Sequence, residues 1–267
     1  MQISQAPPVV RSPEEPPRLL GPEVEVEVPH LVYGGRPVFQ DLRLRLPAGK
    51  WTCLLGPSGV GKTSLLRLIA GLEAGAVVRP DPGRLVGKIA LMAQQDLLLP
   101  WLNVRDNVLL GHRLRGRSRD AMKVLAAEAD ALLARVGLAG KGDASPLVFS
   151  GGMRQRVALA RTLIEHRPVV LMDEPFSALD AVTRHRLQDL AAELLADRTV
   201  LLVTHHPLEA IRLGHRIWVM AGNPAKLRGP IEPSGPTPRD PADPGAIRLQ
   251  SDLMKELLAS AELVETQ

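Results

Sequence analysis

The segment GPSGVGKTS, residues 56–64, constrains the fold of this 267-residue chain more than any other. Gly56, Gly59 and Gly61 let consecutive backbone N–H groups curl around an anion with no Cβ in the way. Apolar TCLL (52–55) leads in and SLLRLIAGL (64–72) leads out with helical spacing, so the loop joins a buried strand to a helix N-terminus. Pro57, Ser58, Val60 and Ser64 complete the cradle, Lys62 can reach β- and γ-phosphates, and Thr63 can offer its hydroxyl to Mg²⁺. A plain Gly-rich strand-to-helix turn needs no such lysine.

Downstream the chain reads VVLMDEP (169–175). Five apolar residues, counting from Pro168, deliver Asp173 to a strand end, beside the phosphate loop if both strands share a sheet, where it can hold Mg²⁺ through water. Glu174 is then the candidate base for an attacking water. The two segments together imply ATP binding and hydrolysis. Between them, FSGGMRQRVALARTL (149–163) puts Ser150, Gly151 and Gly152 where a helix begins, an anion site made of a hydroxyl and bare amides. Alone, such a triplet is more often a helix cap.

Alternating VEVEV (24–28) and LRLRL (42–46) predict half-buried antiparallel strands, whereas VVLM (169–172) and TVLLVT (199–204) predict a parallel sheet covered on both faces. The fold class is therefore α/β with an antiparallel β edge. Residues 104–148 read as a helical insert, and RIWVM (216–220) to LRGPIE as a β-hairpin. A last helix is capped by Asp243, with Pro244 in its first turn and Ile247, Met254, Leu258 and Ala261 on one face. The Pro-rich residues 1–22 predict a mobile tail. With 45% apolar residues a core is assured, and with 3% aromatics a stacking surface for nucleic acid is not expected. The net charge of +4 does not choose between anionic partners. The single Cys53 excludes an internal disulfide and suits a buried position in the strand before the phosphate loop. No leader pattern or run of roughly 20 apolar residues is seen.

GPSGVGKT, the glutamine in MAQQD, FSGGMRQR, VVLMDEP, SALD and VTH, in this order, resemble the ATP-binding subunit of ABC transporters from about residue 24 to 265. The resemblance implies an ABC ATPase fold: a P-loop core with a mixed sheet, an antiparallel β subdomain, a helical subdomain at about 104–160 with the signature, and an extension at about 221–267. It implies that Gln94 senses Mg²⁺ and the attacking water, that Ser177 to Asp180 lie at a dimer seam, and that His205 contacts the γ-phosphate. It also implies that Tyr33, in LVYGG, stacks on adenine. Phe149, Met153 and His206 depart from the family's commonest leucine, glutamine and aspartate.

QQDLLLPWLNVRDNV (94–108) and the tail from residue 236 resemble the bacterial importers of nitrate, sulfonate and taurine, a group that includes carriers of aminopyrimidine thiamine precursors. That implies a homodimer or paired ATPase subunit, integral membrane permease subunits, an indirect solute-binding protein, and a peripheral place on the cytoplasmic face of the bacterial inner membrane. The apolar LLLPWL (97–102) is either a groove for a permease helix or ordinary core. The basic run His112, Arg113, Arg115, Arg117 and Arg119 is either a solvated face or a contact to membrane phosphates. The rival class is a soluble ABC ATPase, which the single cassette and the absence of sustained heptads disfavour. A P-loop kinase or GTPase of another family gives no reason for SGGMRQR.

Overall fold

A computed structural model describes residues 20–80 and 85–265. The order of its strands is what assembles the site. Strands β3 (Trp51–Leu55), β5 (Ile89–Met92), β6 (Val169–Asp173), β7 (Thr199–Thr204), β8 (Arg216–Ala221) and β9 (Lys226–Ile231) form a sheet in the order β5-β6-β7-β3-β8-β9. All its pairings are parallel except the β8–β9 hairpin. The central strands are apolar without a break because both faces are covered. Cys53, Leu55, Val170 and Met172 point into one core, and Leu54, Val169 and Leu171 into the other. Cys53 is fully buried, as expected, and burial pushes its thiol well above the ordinary range.

The second core is closed by helix α1 (Lys62–Ile69) and by an antiparallel sheet of β1 (Val24–Tyr33), β2 (Arg36–Leu46) and β4 (Val77–Arg79). Here alternation does the work: Val24, Val26 and Val28 point inward while Glu25 and Glu27 face the arginines of β2.

The helical insert comprises α2 (Val104–Val108), α3 (Leu110–Leu114), α4 (Arg119–Arg135) and, after a 3₁₀ turn at Pro146–Val148, α5 (Gly151–Leu163). Asn103, Ser118 and Ser150 cap α2, α4 and α5. Asn107, fully buried, accepts from Leu99 N at 2.7 Å and donates to the carbonyls of Leu99, Leu102 and Asn103. Its amide thereby fixes the loop between β5 and α2. One expectation changes here: His112 does not share the solvated basic face. It is 5% exposed, with Nε2 3.1 Å from the Ile164 carbonyl, because that side of α3 packs inward while Arg113 and Arg115 pair with Asp106 and Glu165.

Helices α6 (Ala181–Leu194) and α7 (Pro207–Leu213) flank β7, and α8 (Pro244–Glu265) packs against α7 and β8. Asp243 caps α8 as expected. The face named from the sequence is not the one that packs. Ile247, Met254 and Leu258 are exposed, and Ala246, Leu249, Leu253 and Leu257 meet the core; the side chain of Ala261 lies outside the described residues. The extension is anchored by Arg239, whose guanidinium donates to the carbonyls of Ile211, Gly214, Pro233 and Ser234. The predicted tail at 1–22 lies outside the described residues up to residue 19. Beyond that it is docked, since Gly21 N donates to Asp197 O at 2.7 Å and Thr199 donates to Pro22 O at 2.7 Å. Among the described residues no helix is long and apolar enough to cross a membrane.

Candidate active site

Strand β3 ends in the phosphate loop, and β6 ends two places away in the sheet with β7 between, so three strand termini converge at one edge. The cleft there, about 290 Å³, is lined by Ser58, Gly59, Gly61, Lys62, Thr63, Ser64, Gln94, Asp173 and Glu174. Gly61 is required at its place: its φ is +108° and a Cβ would stand 2.9 Å from Phe39 and Val38. Val60 turns its side chain into the core, leaving only its backbone for the cradle.

Lys62 folds over the loop and donates to the carbonyls of Gly56 and Pro57 at 2.8 and 2.7 Å. Burial lowers its affinity for the proton, with Glu174 and Asp173 acting in the opposite direction. Thr63 Oγ1 donates to Asp173 Oδ2 at 2.6 Å, and burial raises the Asp173 carboxyl above its ordinary range. Thr63, Asp173 and Gln94 all line the cleft, and a hydroxyl, a carboxylate and an amide oxygen are the all-oxygen donor types that suit Mg²⁺.

Glu174 follows β6 in the left-handed region, φ +48°, a conformation that a non-glycine residue holds only when its surroundings enforce it. Its N–H donates to Val203 O at 2.9 Å, and its carbonyl accepts from Gln155 Nε2 at 2.9 Å and from Ser177 Oγ at 3.0 Å. Gln155 also accepts from Ala178 N at 2.8 Å. The carboxylate thus projects into the cleft with Oε1 2.9 Å from His205 Nδ1, past the end of β7.

Ser150, Gly151 and Gly152 do not line this cleft; Ser150 caps α5 and the two glycines open its first turn, with Ser150 and Gly151 exposed. A Cβ on Gly152 would approach the Ala178 carbonyl to 2.9 Å, so the signature helix lies against the Ser177–Asp180 loop, whose Asp180 caps α6. Tyr33 sits at the β1–β2 hairpin, 46% exposed, its hydroxyl donating to Glu73.

Sequence reading singled out neither Gln155 nor Arg154 and Arg161 on the same helix. Arg154 Nε donates to Asp96 Oδ2 at 2.9 Å, and Arg161 donates to the carbonyls of Asp96 and Leu97 at 2.5 and 2.9 Å. The signature helix is thereby wired to the loop after Gln94. In that loop Leu98 packs on the core whereas Leu97 and Trp101 are exposed, so LLLPWL is partly core and partly surface.

Residues 39–177 match the ABC transporter family model. The chain belongs to the ABC transporter ATP-binding family. It is 43% identical over 241 residues to an uncharacterized ABC transporter ATP-binding protein of Haemophilus influenzae, covering 88% of this chain and 98% of that one. It is 41% identical to the aliphatic sulfonates import ATP-binding protein SsuB 1 of Pseudomonas syringae pv. syringae, covering 88% of this chain and 95% of that protein. The fold is similar to the bacterial ABC transporter cassette MJ0796 in a dimeric structure, with TM-score 0.69 and 27% identity over 79% of this chain and 99% of that one. A dimeric post-hydrolysis state of that cassette is bound to ADP and Pi, and the likeness to it has TM-score 0.68. This ABC subunit is accordingly an ATP-binding enzyme of the class whose ATPase activity is coupled to transport.

Proposed function

We propose that this ABC subunit hydrolyses ATP to drive a bacterial importer for a small solute of the nitrate, sulfonate and taurine group. The observation that carries the reading is one cleft holding Lys62, Thr63, Asp173 and Glu174, with His205 against the glutamate. The relatives named for aliphatic sulfonates import favour sulfonates over aminopyrimidine thiamine precursors.

Lys62 now serves two loop carbonyls, and phosphate oxygens of ATP would take over its N–H groups while the backbone amides of Gly59 to Ser64 close on the same phosphates. Thr63, Asp173 and Gln94 would hold Mg²⁺, which when bound neutralises charge on the β- and γ-phosphate oxygens. Glu174 accepts the proton of the attacking water, and His205 holds the γ-phosphate end in line. Tyr33, half-exposed, would stack its ring on adenine.

Two copies close head to tail, with Ser150, Gly151 and Gly152 of one meeting the γ-phosphate held by Lys62 of the other and Asp180 at the seam. The exposure of this capped helix end supports that arrangement, as do the dimeric relatives. Exposed Leu97 and Trp101 receive a helix of the permease at the cytoplasmic membrane face, and Arg154 and Arg161 carry its motion to the signature helix. A solute-binding protein acts through the permease alone.

Glu174→Gln tests the chemistry. It keeps Lys62, Thr63 and Asp173, so Mg-ATP binding should persist while turnover falls at least roughly 100-fold. Wild-type turnover in this variant would remove Glu174 as the base.

A further inference from the structure

We propose that Arg184 and Glu209 are a positioning pair that ties the turn bearing His205 to the loop Ser177–Asp180, so that histidine and seam loop shift together. This rests on the ATPase reading above and assigns its coupling to named side chains.

Glu209, on α7, is 3% exposed and part of neither the cleft nor the seam. Its Oε2 accepts from Thr204 Oγ1 at 2.7 Å, and the same hydroxyl accepts from His206 N at 3.0 Å. The turn from 204 to 206 therefore hangs on the Glu209 carboxylate. Its other oxygen, Oε1, is buried without a hydrogen bond, and Arg184 Nε stands 3.6 Å away. Arg184 meanwhile holds the seam loop and the residue before it, donating from Nη2 to Leu179 O at 2.9 Å and from Nε to Phe176 O at 3.3 Å.

Nε carries one proton and faces two acceptors, the Phe176 carbonyl and Glu209 Oε1. It can serve either one well, but not both. A buried carboxylate oxygen left without a donor is costly, and a buried cation–carboxylate pair repays that cost only at good geometry. A displacement of under about 1 Å in Arg184 would complete the pair with Glu209 and release Phe176 O. Movement of the seam loop thus alters the support of the His205 turn, and the reverse holds by reciprocity. Burial also raises the Glu209 carboxyl, consistent with a group short of partners.

The test uses the full chain and reads kcat, the KM for Mg-ATP and the nucleotide Kd for Arg184→Gln, Glu209→Gln and the double variant. Glu209→Gln keeps an acceptor for Thr204 while removing the charge. Each single variant should lose roughly 10-fold in kcat with Kd changed by less than about 2-fold, and the double should be no slower than either single, because the pair acts as a unit. Wild-type kcat in the single variants, a loss confined to Kd, or a double variant slower by the product of the two losses would overturn the pair. Should Arg184→Gln fail to fold, Arg184→Lys, which keeps the charge but cannot span both carbonyls, takes its place with the same expected split. Failure of the underlying reading looks different: Lys62→Ala would then hydrolyse ATP as the wild type does.

Discussion

The backbone of Glu174, not its carboxylate, shows how the site is held. A left-handed glutamate at a strand end survives because Val203, Gln155 and Ser177 hold the N–H and C=O on its two sides. Gln155→Ala removes one of these bonds and the contact to Ala178, so kcat should fall by about 10-fold while ATP affinity stays within about 2-fold, as steady-state kinetics and nucleotide titration would show. At this scale the phosphate loop, Asp173 and Glu174 were legible because their chemistry lies in short contiguous runs. Gln155 was not, although it lies inside the signature, because its partners stand 19 to 23 positions away and only the crossing of α5 beneath the end of β6 brings them together.

At the scale of elements, periodicity found the longer strands, the hairpin and the last helix, but passed over the short β4 and β5 and could not say which side of that helix packs. Two apolar stripes run along α8, one through Ile247, Met254 and Leu258 and the other through Ala246, Leu249, Leu253 and Leu257, and a helical period is equally satisfied by both. Only α7 and β8 decide. Leu253→Ala should therefore destabilise the protein by about 2–5 kcal/mol, and Leu258→Ala by no more than roughly 0.5 kcal/mol, in denaturant unfolding. Equal losses would place both stripes in the core. His112 was misjudged for a related reason: charge runs describe a segment, whereas burial is settled residue by residue around the helix.

For the whole molecule, two expectations concern assembly and acid. Glu174→Gln alone should accumulate an ATP-dependent dimer on size exclusion, and adding Ser150→Arg should abolish it with monomer ATP binding intact, since bulk and charge then occupy the opposing phosphate contact. His215 joins the start of β3 to the C-terminal extension, accepting from Trp51 N at 3.1 Å and standing 3.4 Å from the Thr237 hydroxyl. Burial, then Lys50 and Arg239, lower its pKa to about 4 from the ordinary 6.5. Between those values the unfolded chain takes up a proton that the folded chain refuses, so this group's contribution is full above pH 6.5 and is lost as pH falls towards 4. In melting curves across that window His215→Asn, whose side-chain oxygen can still accept from Trp51, should show the shallower decline. The strand order has one more consequence, for synthesis. β3 carries the phosphate loop and is made early, yet its neighbours in the sheet are β7 and β8, residues 199–204 and 216–221. On the ribosome that apolar strand has both edges bare until β7 has been made, more than 140 residues later, so over that interval the nascent chain carries its nucleotide loop unsupported and depends on whatever shields hydrophobic strands at the tunnel exit.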